Sequence, residues 1–276
     1  MNIKVVLIVL GEPNSTFSEI LLKYFCSTNF KKINKKITLV GNVDLFKKQM
    51  KILNYNIKLN VVSDINQSVK KSINIINVGY KFKRAFSKIS DSSTKYIEEC
   101  FNLSLKLIKK RESWWIDKWT NIKKTFFKKK KFPGITEYIA EKTSSRNPVM
   151  LIYNNNLSVS PLTTHIPIKN VSKYVKKKKI INNILKIDNF YKSKLKIKPR
   201  IAVLGLNPHC ETIDNISEEN NEINPAIKYL LKKKIKVNGP YSADTFFLDK
   251  NIKKFDVVVG MYHDQVLSPV KTLFKF

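Results

Sequence analysis

The feature that most restricts this chain is a rhythm. Short apolar, β-branched runs are each closed by a breaker and followed by an amphipathic stretch. Lys4–Leu10 ends at Gly11-Glu12-Pro13-Asn14, and a helix is expected from Ser15 or Thr16, burying Ile20, Leu21 and Phe25. Ile37–Val40 leads into a helix over about Val43–Leu53, and strands are expected again near Ile57–Val62 and Ile73–Val78. Ser90–Ser93 opens an amphipathic helix, Tyr96–Lys109, with Ile97, Cys100, Leu103 and Leu107 on one stripe. Strands alternating with helices predict parallel, doubly wound sheets.

The second half repeats the rhythm with different punctuation. Phe132-Pro133-Gly134 turns into a helix over Thr136–Lys142. Val149–Tyr153 and Leu157–Thr164 read as paired strands, with Asn154-Asn155-Asn156 as a hairpin turn. A long basic helix, about Val171–Lys192, precedes strand Ile201–Leu206, and Ser217-Glu218-Glu219 caps a further helix. Asn238-Gly239-Pro240 is a turn before Ser242–Thr245, and Val257–Val259 is a buried strand ending at Gly260. Two lobes are expected, residues 1–127 and 128–276.

Only three histidines occur in 276 residues, and each follows a strand: His165, His209 and His263. Open α/β sheets bind ligands just beyond the carboxyl ends of their strands, so three imidazoles placed there point to one shared site. Neutral imidazoles suit a divalent cation, and Asp244 and Asp264 can ligate it or orient the rings. Lys271, eight residues past His263, can hold a phosphate or carboxylate. Thr136, near a helix start, offers a hydroxyl beside free N–H groups, or serves only as a cap.

The formal charge of +31 first suggests nucleic acid. Only Arg84, Arg111, Arg146 and Arg200 among the 52 basic residues are arginines, however, and phosphate- and base-gripping surfaces lean on arginine. Lysine arriving with abundant Asn and Ile reads as AT-rich coding bias, so nucleic acid is not the expected partner. Arg111–Lys131 holds all three tryptophans and a lysine run. That segment reads as a crossover docking its indoles, with single-stranded nucleic-acid stacking as the other reading. Three scattered cysteines without a CxxC pair fit a reduced compartment, and no apolar run approaches a membrane span. The expected location is the cytoplasm, with no membrane partner.

With these residues assembled, the chain resembles the 4-hydroxythreonine-4-phosphate dehydrogenase family of pyridoxal phosphate biosynthesis. The similar pieces are Gly11-Glu12-Pro13, Phe132–Glu137, Thr163–Pro167, Leu204–His209, Asn238-Gly239-Pro240 with Ala243-Asp244-Thr245, and Met261–Gln265. The resemblance implies a two-domain isopropylmalate-dehydrogenase-like α/β/α sandwich, and accordingly no GxGxxG fingerprint appears. It implies oxidation of 4-phosphohydroxy-L-threonine with NAD and a divalent metal (Zn, Mg or Mn), then decarboxylation to 3-amino-2-oxopropyl phosphate. His165, His209 and His263 become the metal ligands, shared across a homodimer. Asp244 and Lys271 form the catalytic group, and Thr136 with Lys271 binds the phosphorylated substrate.

Ile135 stands where the family usually has histidine, which keeps open a related dehydrogenase for another phosphorylated or acidic hydroxy acid. Cys210–Ser217 replaces a glycine-rich loop, and Trp115–Lys124 departs from a family turn. The family continues beyond the position of Phe276, so the chain reads as a fragment, and loss of activity in isolation is one reading of it. An inactive remnant or a basic nucleic-acid binder is the alternative of a different class.

Overall fold

The computed structural model describes residues 5–109, 115–117, 132, 134–211 and 217–275. Two compact units divide the chain, Met1–Arg146 and Asn147–Phe276. The expected boundary near residue 127 lies outside the described residues. The helix Ile135–Lys142 belongs to the first unit, where its Tyr138 is fully buried among Phe101 and Tyr96.

In the first unit β1 (Val5–Val9), β2 (Lys36–Gly41), β3 (Leu59–Val61), β4 (Ile73–Asn77) and β5 (Trp115–Asp117) form one sheet, in the order β3-β4-β2-β1-β5. Every pairing is parallel. Alternate strand residues serve opposite faces. Leu7 and Val9 join Ile97, Cys100 and Phe101 of α4 (Thr94–Lys109), with α5 (Ile135–Lys142), on one side. On the other side Ile8 and Leu39 meet Phe17 and Leu22 of α1 (Phe17–Phe25) and Phe46 of α3 (Val43–Ile52), with Phe30 of α2 (Thr28–Lys32). Three layers result. The helix starts are fixed by side chains: Asn42 Oδ1 accepts from Leu45 N–H at 2.8 Å, and the Tyr96 hydroxyl accepts from Asn42 N–H at 2.8 Å.

The second unit repeats the plan. β6 (Ser158–Thr163), β7 (Ile201–Leu204), β8 (Val237–Tyr241) and β9 (Val257–Tyr262) make a parallel sheet ordered β6-β9-β7-β8. One face packs on α6 (Val171–Tyr174), α7 (Lys177–Phe190) and α8 (Asn224–Lys232) through Ile180, Ile184, Ile227 and Leu230. The other packs on α9 (Ala243–Phe246), α10 (Asp249–Ile252) and α11 (His263–Phe274) through Phe246, Val266, Leu267 and Val270. Val257, Val258 and Val259 are each fully buried, as a central strand of a parallel sheet requires.

Four expectations need correction: Asn238-Gly239-Pro240 lies inside strand β8 rather than in a turn, Ile20 is exposed rather than buried, and two more concern a helix and a hairpin. The single helix over Val171–Lys192 is broken at Val175-Lys176. The break has a cause: the Glu222 carboxylate accepts from Lys177 N–H at 2.6 Å and meets Lys176 Nζ at 3.1 Å, starting α7 afresh from another segment. The hairpin reduces to one antiparallel bridge, Ile152 with Val159. Asn154 keeps its turn role, accepting from Asn156 N–H at 2.8 Å. The crossover expected at Arg111–Lys131 lies outside the described residues, except that Trp115–Asp117 is a strand edge beside β1.

Candidate functional site

All four strands of the second sheet end on the same edge, and each hands over to a polar residue. His165 follows Thr163 of β6, His209 follows Leu204 of β7, Asp244 follows Tyr241 of β8, and His263 follows Tyr262 of β9. A parallel sheet makes this unavoidable, because every carboxyl end points the same way.

The four side chains form two pairs. The His165 and His263 rings lie 6.2 Å apart between centroids. His263 Nδ1 is hydrogen-bonded to Asp264 Oδ1 at 2.7 Å, which assigns Nδ1 the proton and leaves Nε2 with its lone pair. His209 Nδ1 stands 3.7 Å from Asp244 Oδ2. The Ser242 hydroxyl donates to Asp244 and, with the His209 ring nearby, holds that carboxyl below the usual carboxylate range. His165, His209 and Asp244 are exposed, and His263 is half-buried. Among the described residues no three His, Cys, Asp or Glu side chains converge closely enough to hold a metal ion. The single three-histidine cluster is therefore not assembled within one chain; the structure brings two of the three together. The donors present nonetheless suit a divalent cation, since two adjacent imidazoles, one already oriented by a carboxylate, are its ordinary ligands.

Lys271 sits on α11 two turns beyond His263, with its side chain exposed. Thr136 is half-buried on the first turn of α5, in the first unit. Gly134 caps that helix without a side-chain hydrogen bond, so the anion-binding reading of its start stays open.

Sequence reasoning did not see that Gly260, Thr163 and Glu219 hold these loops in place. Gly260 lets α11 approach β9: a Cβ there would lie 2.5 Å from Val266 Cγ1 and 2.9 Å from Gln265 Oε1. The Thr163 hydroxyl donates to Met261 C=O at 2.7 Å, tying β6 to β9. Glu219, 1% exposed, accepts from the N–H groups of Leu206 and Asn207 at 2.7 and 2.9 Å. Its carboxyl is pushed up by burial, and the Asn207 and Leu206 donors outweigh that, leaving it below its ordinary value. The expected cap survives, with Ser217 Oγ accepting from Asn220 N–H at 3.2 Å. Nothing in the spacing of Ser217-Glu218-Glu219 announces a partner twelve residues upstream. His209 itself has φ 55°, a left-handed backbone that this bracing must maintain.

Together these features define a class: a two-unit, parallel three-layer α/β protein whose second sheet gathers histidines and carboxylates at its carboxyl edge. The family model for the pyridoxal phosphate biosynthetic protein PdxA matches residues 33–275, and the chain belongs to that family. The 4-hydroxythreonine-4-phosphate dehydrogenase of a Sulfurihydrogenibium species is 35% identical over 273 residues, 96% of this chain and 82% of the relative. The enzyme of the same name from Aquifex aeolicus is 41% identical over 143 residues, which is 51% of this chain and 44% of the relative. The crystal structure of the Klebsiella pneumoniae 4-hydroxythreonine-4-phosphate dehydrogenase shares the fold, with a TM-score of 0.86 at 24% identity over 98% of this chain and 85% of its own.

Proposed function

We propose that this chain oxidises 4-phosphohydroxy-L-threonine with NAD⁺ and a divalent metal, and that the product loses CO₂ to give 3-amino-2-oxopropyl phosphate. The observation that carries this reading is the set of His165, His209, Asp244 and His263 at four successive strand ends, with two of the imidazoles 6.2 Å apart. His165, His209 and His263 would hold the cation, completed by a second copy of the chain. When bound, the cation would polarise the substrate hydroxyl and steady the negative charge that develops through oxidation and decarboxylation.

The protein's own groups do the rest. Asp264 fixes the His263 ring and its tautomer. Asp244, held by the Ser242 hydroxyl, accepts the hydroxyl proton while the carbinol hydrogen leaves as hydride to NAD⁺. The resulting β-keto acid releases CO₂ as its C–C bond breaks, the electron pair passes into the ketone as an enolate, and the proton taken up by Asp244 returns to its carbon. Lys271 neutralises the phosphate or carboxylate of the substrate. Ile135 adds no polar contact, which favours testing other phosphorylated or acidic hydroxy acids beside the named one.

Purified chain supplied with Mn²⁺, Mg²⁺ or Zn²⁺ is expected to reduce NAD⁺ in the presence of 4-phosphohydroxy-L-threonine, followed at 340 nm. His209→Ala is expected to lower kcat by on the order of 100-fold or more, as loss of a metal-held charge does. A substrate panel with no turnover, or an unaltered His209→Ala rate, would sink the reading.

A further inference from the structure

We propose that Gln265 is a positioning residue that locks the strand end carrying His263 to the turn carrying His209. The inference rests on the metal-site reading above. The Gln265 amide is buried, 8% exposed, and both its ends are used across the sheet. Its Oε1 accepts from Met261 N–H at 2.7 Å, at the end of β9. Its Nε2 donates to Gly205 C=O at 2.8 Å, in the turn that follows β7. The same turn is gripped from its other side by Glu219, through Leu206 and Asn207 N–H, and the Asn207 amide donates to Glu219 Oε2 at 2.8 Å. Gly205 N–H donates to Tyr241 C=O at 2.9 Å, so β8, which leads to Asp244, is drawn into the same lacing.

The consequence is geometric. β9 and β7 are adjacent, but their ladder pairs end at Val203 with Val259. Among the described residues no ladder pair joins them beyond that point, and the Gln265 amide links the two segments that lead on to the histidines. An unmet N–H or C=O there would be buried, which makes the amide's two bonds hard to replace with water. Gln265 does not reach a substrate or cation itself; it acts through the backbone on either side.

The test compares Gln265→Met, which keeps volume and loses both bonds, and Gln265→Glu, which keeps only the acceptor, with the wild-type chain. Thr38→Val serves as a control, since it removes a buried hydroxyl pair with Ser68 in the first unit. In the metal-free wild type, hydrogen exchange at the amides of Met261, Leu206 and Asn207 should be as slow as in the sheet. Free exchange there overturns the inference without any variant. In Gln265→Met these amides should exchange faster, and Co²⁺ affinity should fall roughly 10- to 100-fold with an altered visible spectrum. The Gln265→Glu change should give the same direction, lowering kcat while KM for NAD⁺ holds, and Thr38→Val should leave Co²⁺ binding unaltered. Wild-type exchange, spectrum and affinity in either Gln265 variant would overturn the proposal. A wild-type chain that neither binds Co²⁺ nor reduces NAD⁺ overturns the functional reading instead, and the exchange rates still judge Gln265.

Discussion

Among single residues, Asp264 offers the sharpest contrast between stability and chemistry. Its side chain is 72% exposed and, among the described residues, is hydrogen-bonded to His263 Nδ1. Truncating it should cost the fold little. The same change frees the His263 ring to rotate and to place its proton on either nitrogen. Asp264→Ala is therefore expected to weaken Mn²⁺ binding roughly 10- to 100-fold by titration calorimetry while the melting temperature stays put. A parallel loss of both would make Asp264 a structural residue. The sequence made Asp264 visible as a neighbour of His263, yet a neighbour in sequence is a partner only when the backbone turns the right way. Here β9 hands directly to α11, and that junction sets the two side chains together.

Elements explain why acid should attack one part of the molecule first. Glu218, Glu219 and Glu222 all lie below their ordinary carboxylate range. For Glu218 the cause is the Ser172 hydroxyl; for Glu219 and Glu222, N–H donors from Asn207 and Lys177 outweigh the upward push of burial. A depressed folded value means the stabilisation is complete above the unfolded value, about pH 4.3, and is lost as pH falls through the folded one. Exchange protection at Leu206, Asn207 and Lys177 is thus expected to hold at pH 5 to 8 and to drop in acid, with Glu219→Gln flattening the dependence at the first two. The rhythm of apolar runs made the strands and most helices readable, since each reflects local spacing of buried side chains. The break at Val175-Lys176 was not readable, because Glu222, 45 residues away, supplies the new helix start. Glu219 and Gln265 were hidden for the same reason. Their partners are backbone groups, which carry no residue identity.

At the scale of the whole molecule, a net charge of +31 belongs to a chain proposed to take a phosphorylated anion. Such a field raises the encounter rate of an anion and is screened within about 8 Å at physiological salt. The expected signature is a several-fold fall in kcat/KM between low and physiological ionic strength, with kcat unchanged. Tight, steeply salt-dependent RNA binding without metal binding would speak instead for a nucleic-acid role. What composition could not reveal is strand order, because adjacency in a sheet is decided by packing between segments far apart in the chain. Of the four strands in the second sheet, β9 is translated last yet lies between β6 and β7. While the polypeptide is still emerging from the ribosome, β6 has no hydrogen-bonded partner in that sheet, and β7 has only β8. Two unpaired sheet edges stay open to passing chains until Val257–Tyr262 arrives. Synthesis of this unit therefore carries a built-in waiting period, during which chaperones have the most to protect.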